Sequence, residues 1–171
     1  MALSKIQAES MNLADTYAFS GTVSGAGGGK VLQMKTSGNI RSAFNTASET
    51  YQTMNTTVAI TPSSTSSRIM VWANVSGAYI YGGQGGSGDD GASGAIYRGS
   101  TEIYGSGERF LYHRDASAAS MEIAMPCILQ ALDSPSSTSE IVYGIYMRAW
   151  SGSTVNATNH DRSIIVMEIG A

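Results

Sequence analysis

His113 and His160 are the chain's two imidazoles and Cys127 is its one thiol, so acid–base or nucleophilic chemistry has few groups to use. A hydrolytic triad needs a histidine base held between a nucleophile and an orienting acid. Both histidines stand in separate turn-rich segments, and neither has a second histidine or a cysteine at i+2 or i+4 to start a metal site. The remaining route to a metal is a symmetric one, with three copies of one histidine meeting on a trimer axis. Glu102, Glu108, Asp115 and Glu122 are available for cleaving a glycosidic bond but show no diagnostic spacing. Asp89 and Asp90 lack the ligand series of a calcium loop.

Two glycine-rich runs look like phosphate sites and fail on inspection. Gly83-Gln84-Gly85-Gly86-Ser87-Gly88 has the GxGxxG spacing and follows a strand, but Asp89-Asp90-Gly91 comes next where a helix is required. Gly25–Lys30 ends like a phosphate-binding loop. Its first glycine is replaced by Ser24, however, and its final hydroxyl residue by Val31. The expectation is a protein without catalysis, cofactor or metal.

The elements that position these residues follow from composition. The 171 residues suit one domain with a sizeable core; 13% are charged and 42% hydrophobic, too apolar for a disordered chain. A net charge of −3 with scattered Lys and Arg gives no footprint for nucleic acid or an anionic membrane. No apolar run is long enough to span a bilayer, and MALSKIQAES lacks the pattern of a signal peptide. A soluble protein made in a cytoplasm is expected. One cysteine permits no intrachain disulfide, and Met125, Ile128 and Leu129 around it read as surroundings for a buried, inert thiol.

Residues 1–29 differ from the rest. Ser4-Lys5-Ile6-Gln7 has capping-box spacing, and the stretch ends in the tether SGTVSGAGGG. It reads as an attachment segment for another chain, with residues 30–171 forming the domain proper. From Lys30 onward, period-two patterns predict strands over 31–35, 53–60, 68–81, 93–98, 101–104, 108–113, 119–132, 140–150 and 162–169. Strands at this density predict an all-β antiparallel sandwich or jelly roll.

Alternation assigns faces. The core is expected to take Ile69, Val71, Ala73, Val75, Tyr79 and Tyr81; Met121, Ile123, Met125, Cys127, Leu129 and Ala131; Ile141, Tyr143, Ile145, Met147 and Ala149; and Ile165, Met167 and Ile169. The opposite faces are also apolar, carrying Met70, Trp72 and Ile80, then Tyr146 and Trp150, then Ile164 and Val166. A solvated antiparallel sheet is polar on its outer side. These seven residues are therefore candidates for a subunit interface, unless loops or residues 1–29 cover them.

Five blocks in order carry a resemblance. Ala2–Gln33, TVAITPSSTSSRIMVWANV at Thr57–Val75, IYRGSTEI at Ile96–Ile103, LDSPSST at Leu132–Thr138 and SIIVMEIGA at Ser163–Ala171 resemble tail-fibre proteins of marine and cyanobacterial phages. The resemblance implies a homotrimeric jelly roll at a fibre tip, similar in architecture to tumour necrosis factor and complement heads. It implies a virion protein attached through residues 1–29, whose loops meet a host-surface glycan or outer-membrane protein. With about 29 residues before the domain, a short fibre and a capsid or tail decoration trimer both fit. Gly82–Gly91, Tyr104–Asp115 and Ser151–Asp161 combine turn chemistry with contact-type side chains. Within the second, Tyr104, Arg109, His113 and Arg114 are the candidate receptor contacts, or else the segment is a short strand whose aromatics fill the core.

Overall fold

The computed structural model describes residues 30–81, 89–107, 110–114, 122–150 and 152–170. The attachment segment 1–29, the Gly83–Gly88 motif and Arg109 lie outside the described residues. Eleven strands occur among the described residues. They are β1 (Val31–Thr36), β2 (Asn45–Thr46), β3 (Gln52–Ile60), β4 (Arg68–Tyr81), β5 (Asp89–Arg98), β6 (Thr101–Gly105), β7 (Leu111–Arg114), β8 (Glu122–Asp133), β9 (Ile141–Trp150), β10 (Thr154–Asn156) and β11 (Arg162–Ile169). All nine expected strands are present. The short β2 and β10, two and three residues long, carry too little alternation to be read in advance.

The strands form two antiparallel sheets with jelly-roll order. One runs β1-β11-β4-β8, with β10 and β2 continuing beside the far part of β4; the other runs β3-β9-β5, edged by β6 and β7. Inward residues of both fill one core, including Ile69, Val71, Val75, Leu129, Tyr143, Ile145 and Met147. Cys127 is buried there, and burial pushes its thiol up to about 12. Pairing also sets the polarity of the sandwich. Ile169 of β11 pairs with Arg68 of β4 and Val31 of β1, so Lys30 and Gly170 share one end with the 61–67 loop. Tyr81 and Trp150 run toward the opposite end.

Two features decide which residues face inward. The first is a β-bulge in β4. Val75 pairs with Cys127 and Ala78 with Met125, so Ser76 and Gly77 stand opposite Pro126 alone. An extra residue reverses the alternation beyond it. Ala78 and Ile80 are therefore buried, while Tyr79 and Tyr81 turn outward, the reverse of the expected assignment. Pro126 has no N–H to leave unpaired at this point. The Ser76 N–H donates to the Asp161 carbonyl at 2.8 Å. The His160 ring lies where a Gly77 side chain would sit, 2.5 Å from the place of a Cβ, and packs on Tyr79 at 4.9 Å. Only glycine admits that ring.

The second feature is a buried carboxylate. Glu168 is fully excluded from solvent. The Ser63 N–H and the Ser63 and Ser67 hydroxyls donate to its Oε1 at 2.6–2.7 Å, and the Gln33 amide donates to Oε2 at 2.6 Å. The polar TPSSTSSR loop between two apolar strands is thus the lining of an ion site inside the chain. With Glu168 inward, Ile164 and Val166 are inward too and fully buried, and Ile165, Met167 and Ile169 point out. Ile80, Ile164 and Val166 are consequently core residues of this chain and not interface residues. At the other end of β11, buried Arg162 donates to the Ser42 carbonyl at 2.8 Å, to the Ser42 hydroxyl, and to the Ala157 carbonyl at 3.4 Å.

Burial works against the Glu168 charge, but the donors from Ser63, Ser67 and Gln33 outweigh it and bring the pKa from 4.5 to about 2. A group held below its unfolded value adds stability above that value and loses it as pH falls toward the folded one. The thermal midpoint is therefore expected to drop between about pH 4.5 and 2. Glu168→Gln is expected to cost about 2 kcal/mol at neutral pH and to flatten that acid limb. Circular dichroism melts of both proteins across the range make the comparison, and parallel acid limbs would remove Glu168 from the explanation.

Candidate binding faces

The phase of β11 builds the first face. Met34, Met167, Met70 and Leu132 are direct cross-strand partners, one from each of β1, β11, β4 and β8, and make a continuous apolar row across the outside of this sheet. Beside it, Ile165 of β11 is paired with Trp72 of β4; Ile128 lies opposite Asn74. Directly opposed side chains on one face touch, so these rows form a single surface. Ile128 is 67% exposed, Met34 61% and Trp72 42%. Of the seven interface candidates, Met70 and Trp72 stand here. Met34, Ile128, Leu132, Ile165 and Met167 join them: the assumed phase of β11 had put Ile165 and Met167 in the core, whereas Ile128 and Leu132 fall on the outer side of the 119–132 alternation, which holds at Cys127 and Leu129 and fails at Met125, 47% exposed.

The second face is the outside of the other sheet, and it holds Tyr146 and Trp150. The structure therefore separates the interface candidates into an apolar surface and an aromatic, charged one on opposite sides of the sandwich. Trp150, Arg148 and Tyr146 of β9 lie opposite Gly91, Ser93 and Ala95 of β5. That lane of small residues lets the large side chains lie flat across the sheet. Tyr97 packs on Tyr146 at 4.2 Å and on Tyr51 at 6.0 Å. The Arg148 guanidinium sits 4.8 Å from the Tyr51 ring and 5.3 Å from the Trp150 ring. Its Nε is buried and has no hydrogen-bond partner among the described residues.

Neighbouring groups hold this cluster in place. The Ser153 hydroxyl oxygen lies 2.6 and 2.7 Å from the Trp150 and Gly91 carbonyl oxygens, either of which can accept its proton, after a turn where Gly152 has φ +79°. That fixes the end of β9. Tyr97 donates to Glu102 at 3.2 Å. Glu102 folds over Gly105, where a Cβ would collide with its Oε1 and stand 3.4 Å from the Tyr51 hydroxyl. Burial, and then the Glu102 charge, raise the Tyr97 hydroxyl above its ordinary pKa. Burial raises that of Tyr51 as well, although the neighbouring Arg148 charge opposes it.

Of the four receptor candidates, Tyr104 is the one whose side chain is described. Tyr104 is exposed on β6, and the segment after it is the edge strand β7, whose His113 and Arg114 backbones pair with Asp90 and Asp89. Leu111 fills the core, Phe110 packs against it and Tyr112 is exposed, so the strand reading of this segment describes it better. The side chains of His113 and Arg114 lie outside the described residues, as does Arg109. His160, from the third loop, is packed on Gly77 and Tyr79.

At the end that holds Lys30 and Gly170, Arg98 binds both Asp133 oxygens at 2.9–3.0 Å, and the Tyr143 hydroxyl donates to the same carboxylate at 2.7 Å. Burial and then that bond raise the Tyr143 pKa. A hollow of about 420 Å³ opens beside this clasp, lined by Arg98, Pro135, Glu140 and Val142 among others. Among the described residues, no three His, Cys, Asp or Glu side chains come together as a metal site. No helix among them is long and apolar enough to cross a membrane.

No family model and no curated protein matches the chain. Among solved structures it is similar to dimeric latent PorU from Porphyromonas gingivalis, with 12% identity and a TM-score of 0.34. The likeness covers 85% of this chain and 14% of the PorU chain. Similarity at that level carries neither an activity nor a partner across.

The face assignment has a direct test. Ile164→Glu and Val166→Glu place an unpaired carboxylate in the core and are expected to cost about 4 kcal/mol each. Ile128→Glu and Met34→Glu change exposed positions and are expected to stay within about 1 kcal/mol at low protein concentration. Urea titration of the four variants distinguishes them, and losses at Ile164 and Val166 as small as those at Met34 and Ile128 would reverse the phase of β11.

Proposed function

We propose that the protein is a non-enzymatic virion component, the homotrimeric head of a short phage fibre or fibre tip that meets a host surface. The observation that carries this reading is the apolar outer face of the β1-β11-β4-β8 sheet. Four strands offering Met34, Met167, Met70, Leu132, Ile165, Trp72 and Ile128 to the outside form a surface that a soluble protein covers. A further copy of the same chain is the partner the phage-fibre resemblance implies, and closed symmetry would bury the face in every copy.

Polarity supports the same role. Lys30 leads back to residues 1–29 at one end of the sandwich, where an attachment segment would join the virion. Tyr81, Asp89 and Trp150, which border the Gly82–Gly91 and Ser151–Asp161 segments, lie toward the other end, the end that would face outward on a docked head. Three heads presenting identical weak sites would bind a surface by avidity.

Sedimentation at micromolar concentration is expected to give three times the chain mass, and Trp72→Glu to give mostly single chains of unchanged fold. A wild-type chain that stays monomeric removes the proposal. Deleting residues 1–28 is expected to leave the trimer intact and abolish incorporation into particles. Binding of the purified protein to host cells supports the fibre role; binding to capsids or tails alone assigns it to decoration instead.

A further inference from the structure

We propose that the outer face of the β3-β9-β5-β6/β7 sheet is a saccharide-binding platform, with Tyr51, Tyr97, Tyr146, Arg148, Trp150 and Glu102 as its contact residues and a neutral, hydroxyl-rich glycan as its ligand. The inference rests on the proposed role only for the source of the glycan; the site itself is argued from its side chains.

Three properties meet on this face. Tyr97 packs on Tyr146 at a centroid distance of 4.2 Å with the rings tilted by 35°, meets Tyr51 edge-on at 6.0 Å, and the Arg148 guanidinium links Tyr51 to Trp150, so four aromatic side chains gather on one face. A pyranose ring has an apolar C–H side, and covering it with an aromatic ring buries apolar area on both partners. The platform is also rigid before any ligand arrives. The small residues Gly91, Ser93 and Ala95 seat the large side chains against the sheet, and the Ser153 hydroxyl locks the strand end that carries Trp150. Preformed aromatic surface loses little side-chain entropy on binding.

The polar groups select the ligand. Arg148 has no carboxylate within ion-pair distance among the described residues, and its guanidinium is held between two rings. A planar fork of donors in that position can direct two parallel hydrogen bonds at neighbouring oxygens of one ligand. Glu102, which already accepts from Tyr97, provides the acceptor that sugar hydroxyl protons need. One donor fork and one carboxylate over a set of rings complement a neutral polyol. A uronic or sialic acid would have to bring its own carboxylate close to Glu102. The outer face across the sandwich instead carries the apolar row of Met34, Met167, Met70 and Leu132.

The chain's two tryptophans make the test direct, because Trp72 is on the opposite face. In a Trp72→Phe background, emission reports Trp150 alone. The protein is screened on an array of neutral, uronic and sialylated oligosaccharides, and the strongest neutral ligand is titrated against Trp150 emission. Saturable change with a neutral oligosaccharide is expected. Arg148→Gln and Glu102→Gln are each expected to weaken it at least ten-fold while melting temperature and sedimentation stay unchanged. Binding restricted to acidic glycans, binding that survives both substitutions, or no binding to any class overturns the proposal. Sedimentation in the same samples judges the oligomer separately, so a trimer that binds no glycan defeats this site alone.

Discussion

The charge on Glu168 has to be met inside the protein, and the arrangement of the apolar residues on β11 follows from how it is met. A carboxylate without a cation is tolerated in a core only when donors replace the water it has lost. Ser63, Ser67 and Gln33 supply those donors from the β3–β4 loop and from β1, so the same bonds tie two other parts of the chain to β11. Once Glu168 is inward, period-two geometry leaves no choice for Ile164 and Val166. The outer row of Ile165, Met167 and Ile169 is then unavoidable. A surface that looks designed for association is in this sense the far side of an internal hydrogen-bond cluster.

Arg162 repeats the logic with opposite sign. Its guanidinium is buried among carbonyls and a hydroxyl, and burial lowers its pKa. Both charged residues of β11 thus point inward, about 20 Å apart by strand rise, each gripping the loops at its own end of the sandwich. The strand acts as a tie rod whose ends are polar and whose middle is apolar. Arg98, Asp133 and Tyr143 perform a related task between the two sheets.

Much of this was legible in the residues. The alternation in 140–150 assigned Ile141, Tyr143, Ile145, Met147 and Ala149 to the core without error, because Gly144 and Arg148 break the apolar run on the other side. SIIVMEI offers no such contrast. Four consecutive apolar residues fit either phase, and an acidic residue is ordinarily placed in water, so Glu168 pointed the reading the wrong way. The serines that overturn it are a hundred residues distant. In β4 the alternation was read correctly as far as Val75 and then lost at Ser76-Gly77, since a bulge needs the partner strand to be known. The aromatic platform was missed for a different reason. Tyr51, Tyr97, Arg148 and Trp150 come from separate parts of the chain, and the small residues that let them lie flat carry no chemical signal of their own.

Cys127 has a consequence of a different kind. Its sulfur lies near Leu129 at the place where Gly94 of the facing sheet leaves room, 3.1 Å from the position of an absent Cβ. A thiol so enclosed, with its pKa raised to about 12, reacts with alkylating reagents only when the two sheets part. Since it is the chain's one cysteine, each modified molecule records a single opening of the sandwich. The rate of labelling is therefore a built-in clock for how long the core stays shut, and it counts rare excursions that a melting curve averages away.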